Sequence, residues 1–467
     1  MLPYNLQSSD AREFINHDEI VKSIAWAEEN KDNQKLIAQV MAKAKEWKGL
    51  EHREAVLLLV GAKSRELFDL AGKIKQEFYG KRVVLFAPLY LSNYCVNGCV
   101  YCPYNVNNNA MPRKRLSQDD IRREVRALQS MGHKRIVIEA GEHPHFSPID
   151  YVLESINTIY NSGDIRRINV NIAATTTEEY RRLKSAGIGT YILFQETYHE
   201  PTYKKLHPAG PKADYAWHTE AMDRAMQSGI DDVGIGALFG LADYRYELAA
   251  LLMHSEHLEA VYGVGTHTIS VPRIRKAQGV SVDSFEHGVT DEIYERIVAC
   301  LRISAPYTGI IVSTRESEEN RRNVLNAGVS QISGGSCTNV GGYSDKSKNN
   351  TDTNQFEISD KRSLGEIVHW LLEIGYIPSF CTACYHEGRV GDRFMELCKS
   401  GKIHNCCQPN ALMTLQEYLM DYANISTKKA GESLINSELQ NITSEKTRSL
   451  VTKYLEQIRA GRRDIRI

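Results

Sequence analysis

Cys95-Val96-Asn97-Gly98-Cys99-Val100-Tyr101-Cys102 follows closely on the β-rich run 83–86, and the reading of the whole chain starts from this pair. Three thiols at C-x3-C-x2-C spacing can hold three corners of an iron-sulfur cube and leave its fourth iron without a protein ligand. An iron lacking its cysteine can bind and reduce a substrate or cofactor, so an incomplete set points to chemistry more than a complete one does. A zinc knuckle is the competing reading. Structural zinc sites more often pair C-x2-C units and use four ligands.

Outward from the trio, short β-rich runs alternate with amphipathic segments. The expected strands are 83–86, 135–139, 168–173, 191–194, 232–238, 267–271, 310–313 and 329–333. Helices are expected after Ser117, Pro148 and Thr177, and then over 214–228, 244–259, 291–303 and 318–327. Gly132, Gly187, Gly229 and Gly328 each stand a few residues before an expected strand, where a helix ends on a left-handed residue. Eight strands separated by helices favour a closed (β/α)8 barrel of the TIM type over an open sheet, and a barrel carries its reactive residues on the loops after its strands. The cysteine trio sits on such a loop.

Residues 1–80 read as a helical N-terminal extension, with apolar residues at helical spacing in Ile20, Val21, Ile24 and Ala25 and again over 55–60. The barrel is expected over 81–345. Polar residues 344–354 read as a loop closing it, and 346–467 as a mainly helical C-terminal domain. Neither a Rossmann fingerprint nor a Walker string is present, which argues against hydride transfer and nucleotide hydrolysis.

The 467 residues are 42% hydrophobic and 25% charged, and 57 basic against 58 acidic side chains give a net charge of -1. No electrostatic footprint for nucleic acid follows. The first ten residues lack the basic and apolar regions of a signal peptide, and no run approaches eighteen uninterrupted apolar residues. The expectation is a soluble cytoplasmic protein with no membrane partner. Ten cysteines, six of them in two tight groups, suit metal ligation in a reducing compartment.

The second group is Cys381-Thr382-Ala383-Cys384 with Cys407, and Cys406 beside it. It can present another open cluster, with Cys398 and Cys406 as rival ligands, or it can hold zinc with a nitrogen from His386 or His404. Cys300 and Cys337 have no metal-like spacing and read as buried structural thiols.

The strings Cys95–Cys102, Ile172-Ala173-Ala174-Thr175-Thr176, Phe194-Gln195-Glu196-Thr197-Tyr198-His199, His267–Arg273, Ser313-Thr314-Arg315-Glu316 and Cys381–Cys384 together resemble the radical S-adenosylmethionine tyrosine lyases of FeFe-hydrogenase maturation. The tyrosine lyase of the thiamine pathway shares the Gln195–Tyr198 string but lacks the C-terminal cysteines. Two 4Fe-4S clusters, the second with an additional iron, and S-adenosyl-L-methionine are what the resemblance implies as cofactors.

By the same resemblance Cys95, Cys99 and Cys102 hold the radical-generating cluster, Tyr101 lies against adenine, and Gly141 and Glu142 hold the methionyl amino group. Glu196 would accept from the ribose. Ser313 and Arg315 would grip the carboxylate of L-tyrosine, which is cleaved to p-cresol and dehydroglycine. Cys381, Cys384 and Cys407 would hold the second cluster, where the fragment becomes carbon monoxide and cyanide on iron. For the additional iron the candidates are His257, slightly preferred, and His267. The implied partners are an electron donor such as ferredoxin or flavodoxin and the other hydrogenase maturation proteins. A 2-iminoacetate synthase of thiazole synthesis and a non-catalytic iron-sulfur scaffold are the alternative readings.

Overall fold

The computed structural model describes residues 3–344, 353–400 and 403–467. Eight parallel strands run through the middle of the chain: β1 Arg82–Ser92, β2 Arg135–Ala140, β3 Arg167–Asn171, β4 Tyr191–Glu196, β5 Val233–Ala237, β6 Thr268–Ser270, β7 Gly309–Val312 and β8 Gln331–Ser333. Each pairs with the next, and β8 returns to β1 through Val84 opposite Gln331, closing the barrel. The strands are β-branched and almost wholly buried, as parallel strands covered by helices must be.

Each βα unit is delimited by local chemistry. Ser117 and Thr176 form capping boxes with Asp120 and Glu179. Gly132, Gly187, Gly229 and Gly328 adopt φ of 103°, 77°, 84° and 137°, which stops a helix and turns the chain into the next strand. The expected helix over 214–228 is instead two short ones, Tyr215–Thr219 and Ala221–Gln227, and Glu200–Leu206 adds an unexpected short helix before them.

The N-terminal helices His52–Gly61 and Ser64–Tyr79 pack on the barrel helix Asp291–Ser304. Arg296 of that helix donates to the carbonyl oxygens of Leu58 and Leu59 and to the Ser64 hydroxyl, so the extension is fastened by polar bonds as well as apolar burial.

Beyond the barrel the chain does something its sequence did not announce. β9, Ile377–Ser379, adds in parallel to the first residues of β1, with Arg82 opposite Ile377. The expected boundary at 345/346 therefore separates two parts of one sheet. Pro378 sits in this three-residue edge strand, where a missing N–H is tolerated. The fully buried ion pair of Arg321 with Asp360, supported by Arg321 donating to the Ser333 carbonyl, ties the same crossing segment to β8. The helices His404–Asp421, Ile425–Gln440 and Glu445–Arg459 follow.

Candidate active site

At the C-terminal ends of the strands, β1 continues into the cysteine loop through a bulge between Tyr90 and Ser92. Arg113 pins the loop by donating to the carbonyl oxygens of Asn93, Tyr104 and Asn105 at 2.7, 2.9 and 2.6 Å. The end of β2 clasps it: Gly141 N–H donates to Ser92 O at 2.9 Å, and Val96 N–H to Glu142 O at 2.8 Å. A β-carbon at residue 141 would collide with the Tyr94 carbonyl, so only glycine allows the approach.

Cys95, Cys99 and Cys102 line one cavity inside this end of the barrel with Tyr101, Gly141, Glu142, Glu196, Ser313 and Arg315. Every sequence-predicted residue of the first site is thus gathered in one place. Burial pushes the Cys99 thiol up to about 11 and Cys102 higher still. Thiolates here need a neutralising cation, which suits the donor set to a metal cluster.

Several functional groups were not singled out by sequence. Asn97 donates to the Glu142 carboxylate at 2.6 Å and accepts from Lys212 N–H at 3.0 Å, joining three segments of the rim. Its signal was its place within the trio itself. Tyr101 O–H donates to His207 Nε2 at 2.7 Å, because His207 Nδ1 faces the Tyr203 carbonyl at 2.8 Å and must carry the ring proton. Burial, and then Lys212, lower His207 to about 3, so the acceptor stays neutral.

Lys212 Nζ lies 3.1 Å from Glu196 Oε1, and burial of the lysine is outweighed by the charges of Glu196 and the neighbouring cysteines, which hold its pKa above the usual range. Glu196 has φ of 69° at a bulge ending β4, a left-handed conformation a side chain takes at a cost. Arg315 lays its guanidinium 3.7 Å from the centre of the Phe356 ring, and its backbone N–H donates to the Ser313 hydroxyl at 3.3 Å.

The second cysteine group lies at the opposite end. Cys381 follows β9 by two residues, at the N-terminal mouth of the barrel, and its carbonyl accepts from Arg135, the first residue of β2, at 2.8 Å. Cys407 neighbours Cys381, Cys384 and Cys398, and Cys384 hydrogen-bonds to it. Cys406 is half-buried and faces Arg389. Burial raises Cys381 to about 11 and Cys398 to about 12, and Arg82, Arg135 and Arg389 surround the group with positive charge.

His267 stands directly before β6 at this same mouth, its ring 5.0 Å from Phe394 and its Nδ1 3.4 Å from Asp232. His257 is elsewhere. Its Nε2 pairs with Asp223 at 2.9 Å, its Nδ1 with Leu6 O at 2.5 Å, and it stacks on Phe14 at 3.7 Å, so both nitrogens are engaged. His386 is hydrogen-bonded to the Arg166 carbonyl, and the side chain of His404 lies outside the described residues. Among the described residues no three of His, Cys, Asp or Glu are arranged to hold a single metal ion, and no helix is long and apolar enough to cross a membrane.

A closed parallel barrel with an open cysteine trio on the loop after its first strand is the build of a radical S-adenosylmethionine protein. Residues 89–249 match the Radical SAM superfamily, and 270–377 match the Biotin and Thiamin Synthesis associated domain. A crystal structure of HydG, described as a maturase of the [FeFe]-hydrogenase, superposes with a TM-score of 0.94 at 51% identity, covering 97% of this chain and 100% of that one. HydG from Carboxydothermus hydrogenoformans gives 0.83 at 39% identity over 95% of this chain and 99% of that one. The 2-iminoacetate synthase of Escherichia coli (strain K12) is 32% identical over 70% of this chain and 85% of its own length. The chain belongs to the HydG family of radical SAM maturases. A 4Fe-4S cluster and S-adenosylmethionine come with that membership.

Proposed function

We propose that this chain cleaves L-tyrosine to p-cresol and dehydroglycine and converts the fragment to carbon monoxide and cyanide on iron for FeFe-hydrogenase assembly. The observation that carries the reading is the placement of two cysteine groups at opposite ends of one barrel, with an arginine inside the cavity that has no carboxylate partner among the described residues. When bound, the first cluster and S-adenosylmethionine supply a 5′-deoxyadenosyl radical.

This chain's own residues do the rest. Tyr101, which lines the cavity, is held by its hydroxyl bond to His207 and would lie against adenine. Gly141 and Glu142 offer the strand edge and a carboxylate to the methionyl amino group, and Glu196, held by Lys212, offers an acceptor to the ribose. Arg315 and Ser313 offer a guanidinium fork and a hydroxyl to the tyrosine carboxylate. The barrel walls would exclude water around a reactive carbon centre, whose chemistry calls for a near-attack approach of about 3 to 3.5 Å.

At the other mouth, Cys381, Cys384 and Cys407 would hold the second cluster, with residues 346–467 as its domain. Of the two candidate histidines, His267, which stands at this mouth, would supply the imidazole to the additional iron. A cytoplasmic site of action, a ferredoxin or flavodoxin as electron donor and further maturation proteins as partners belong to the same reading.

Anaerobic reconstitution with iron and sulfide, followed by turnover of tyrosine, tests it. p-Cresol, carbon monoxide and cyanide together are expected. p-Cresol without the diatomic products would favour the 2-iminoacetate synthase reading instead, and none of the three would reduce the chain to a scaffold.

A further inference from the structure

The cavity holds a second charge that the tyrosine-carboxylate grip does not use. Glu139 is the residue of β2 paired with Tyr90 of β1, and both line the cavity with Arg315. The titratable and charged groups that act on Glu139 are Tyr90, Tyr104, Arg315, Glu196 and Tyr343. Arg315 attracts it from across the space but forms no ion pair with it, and among the described residues neither has another ion-pair partner. The Tyr90 hydroxyl, 2.8 Å from Gln355 Oε1, is also within hydrogen-bonding reach of the Glu139 carboxylate, so its one proton is shared between two acceptors and leaves the carboxylate's charge without a cation. Burial raises Glu139 to about 7 and lowers Arg315.

Two opposite charges facing one largely dry cavity without touching are costly, and a ligand that pairs with both removes the cost. An uncharged ligand satisfies neither. A plain carboxylate satisfies only Arg315. A free α-amino acid carries an anion and a cation on the same carbon and satisfies both.

We propose that Glu139 is the seat of the substrate's α-ammonium group and the acceptor of its proton. The assignment rests on the tyrosine reading, which places the substrate carboxylate at Arg315. The proton passes from the substrate nitrogen to a Glu139 oxygen, leaving a neutral amine and a neutral carboxyl group. Hydrogen-atom removal from nitrogen calls for that neutral amine, because an ammonium has no lone pair to stabilise the electron-deficient nitrogen left behind. A carboxyl group that titrates near neutrality is matched to this transfer.

The test compares L-tyrosine with 3-(4-hydroxyphenyl)propanoate, which lacks the amino group, in the anaerobically reconstituted full-length protein and its Glu139→Gln variant. The parent is expected to bind tyrosine roughly tenfold or more tightly than the analogue, as a charge-assisted hydrogen bond provides. Glu139→Gln should lose that preference while holding the analogue as well as the parent does, and Glu139→Asp should recover part of it. A preference that survives in Glu139→Gln overturns the proposal, and so does an equal loss of both ligands, which would mark a structural role. p-Cresol formation by Glu139→Gln should keep rising with pH toward the amine's own pKa while the parent levels off; superimposable profiles would remove the proton-acceptor role. A parent protein that binds neither ligand would sink the tyrosine reading itself, and this assignment with it.

Discussion

Lys212 Nζ and Glu196 Oε1 are 3.1 Å apart at the cavity rim, each side chain only 15% exposed, and the carboxylate projects from a residue with φ of 69°. The lysine comes from the 3-10 turn Pro211–Ala213 that follows Glu200–Leu206 and the glutamate from the end of β4, so one ion pair fixes both the strained residue and the turn that backs Tyr101. Lys212→Met leaves a largely buried carboxylate unpaired and should lower stability by about 1 to 3 kcal/mol. Thermal unfolding of the metal-free protein checks this. Adding Glu196→Gln should return part of the loss, and strict additivity of the two changes would show that the pair is not coupled.

The two ends of the barrel should be separable by mutation. Cys99→Ala removes an anchor of the first cluster and should abolish 5′-deoxyadenosine formation under dithionite. Cys384→Ala should leave p-cresol largely intact while suppressing carbon monoxide. Joint loss of both products in Cys384→Ala, or zinc as the sole metal at that site in anaerobically isolated protein, would contradict the two-site reading.

Arg315→Lys keeps the charge but loses the planar fork. A charge-assisted bidentate pair is worth about 1.5 to 3 kcal/mol, so tyrosine affinity should fall roughly ten- to a hundredfold. Equilibrium binding reads the change, and cleavage of S-adenosylmethionine without tyrosine should persist. Normal affinity and normal p-cresol yield would release Arg315 from this role.

The two histidines should be separable by iron content. His257→Ala removes a buried ring that bonds Asp223 and stacks on Phe14, and should destabilise the fold by about 2 to 4 kcal/mol without lowering iron content at the second site. His267→Ala strips the buried Asp232 carboxylate of its imidazole and should cost about 1 to 3 kcal/mol, but unlike His257→Ala it should also lower the iron bound per protein. Iron counting on both variants decides between them.

Glu247 supplies a pH signature of the fold. Buried on the helix Tyr244–Tyr262, it accepts from the Thr197 hydroxyl at 2.5 Å and Tyr198 N–H at 2.9 Å, yet burial raises its pKa from 4.5 to about 7. The folded protein therefore holds the proton more tightly than the unfolded chain. The associated stability is complete below about pH 4.5 and falls away as pH rises through about 7, by about 3 kcal/mol in all. Glu247→Gln should flatten the unfolding temperature over that interval; an unchanged slope would assign the dependence to other groups.

Much of the barrel is legible in the sequence. The eight expected runs become the eight strands, most with edges shifted by a few residues, because each run is bounded by a cap or a left-handed glycine that acts within its own few residues; β1 instead runs on to Ser92, six residues past its expected end. β9 was not legible. Ile377-Pro378-Ser379 is too short and contains a proline, and it is a strand only because the start of β1 offers it a free edge. Lys212, His207 and Gln355 were equally silent, since nothing near them in the chain hints at Glu196, Tyr101 or Tyr90.

The sequence by itself determined the composition of the two cysteine groups, the βα alternation and the helix ends, all of which depend on spacing over a few residues. Only the tertiary structure decided that the groups occupy opposite mouths of one barrel, that His267 stands at the mouth holding Cys381 while His257 is locked into a helix interface, and that Glu139 and Arg315 line one cavity without forming an ion pair among the described residues. Those relations are set by strand register and barrel closure, where residues far apart in the chain meet because hydrogen-bonded edges must be satisfied and apolar faces buried together.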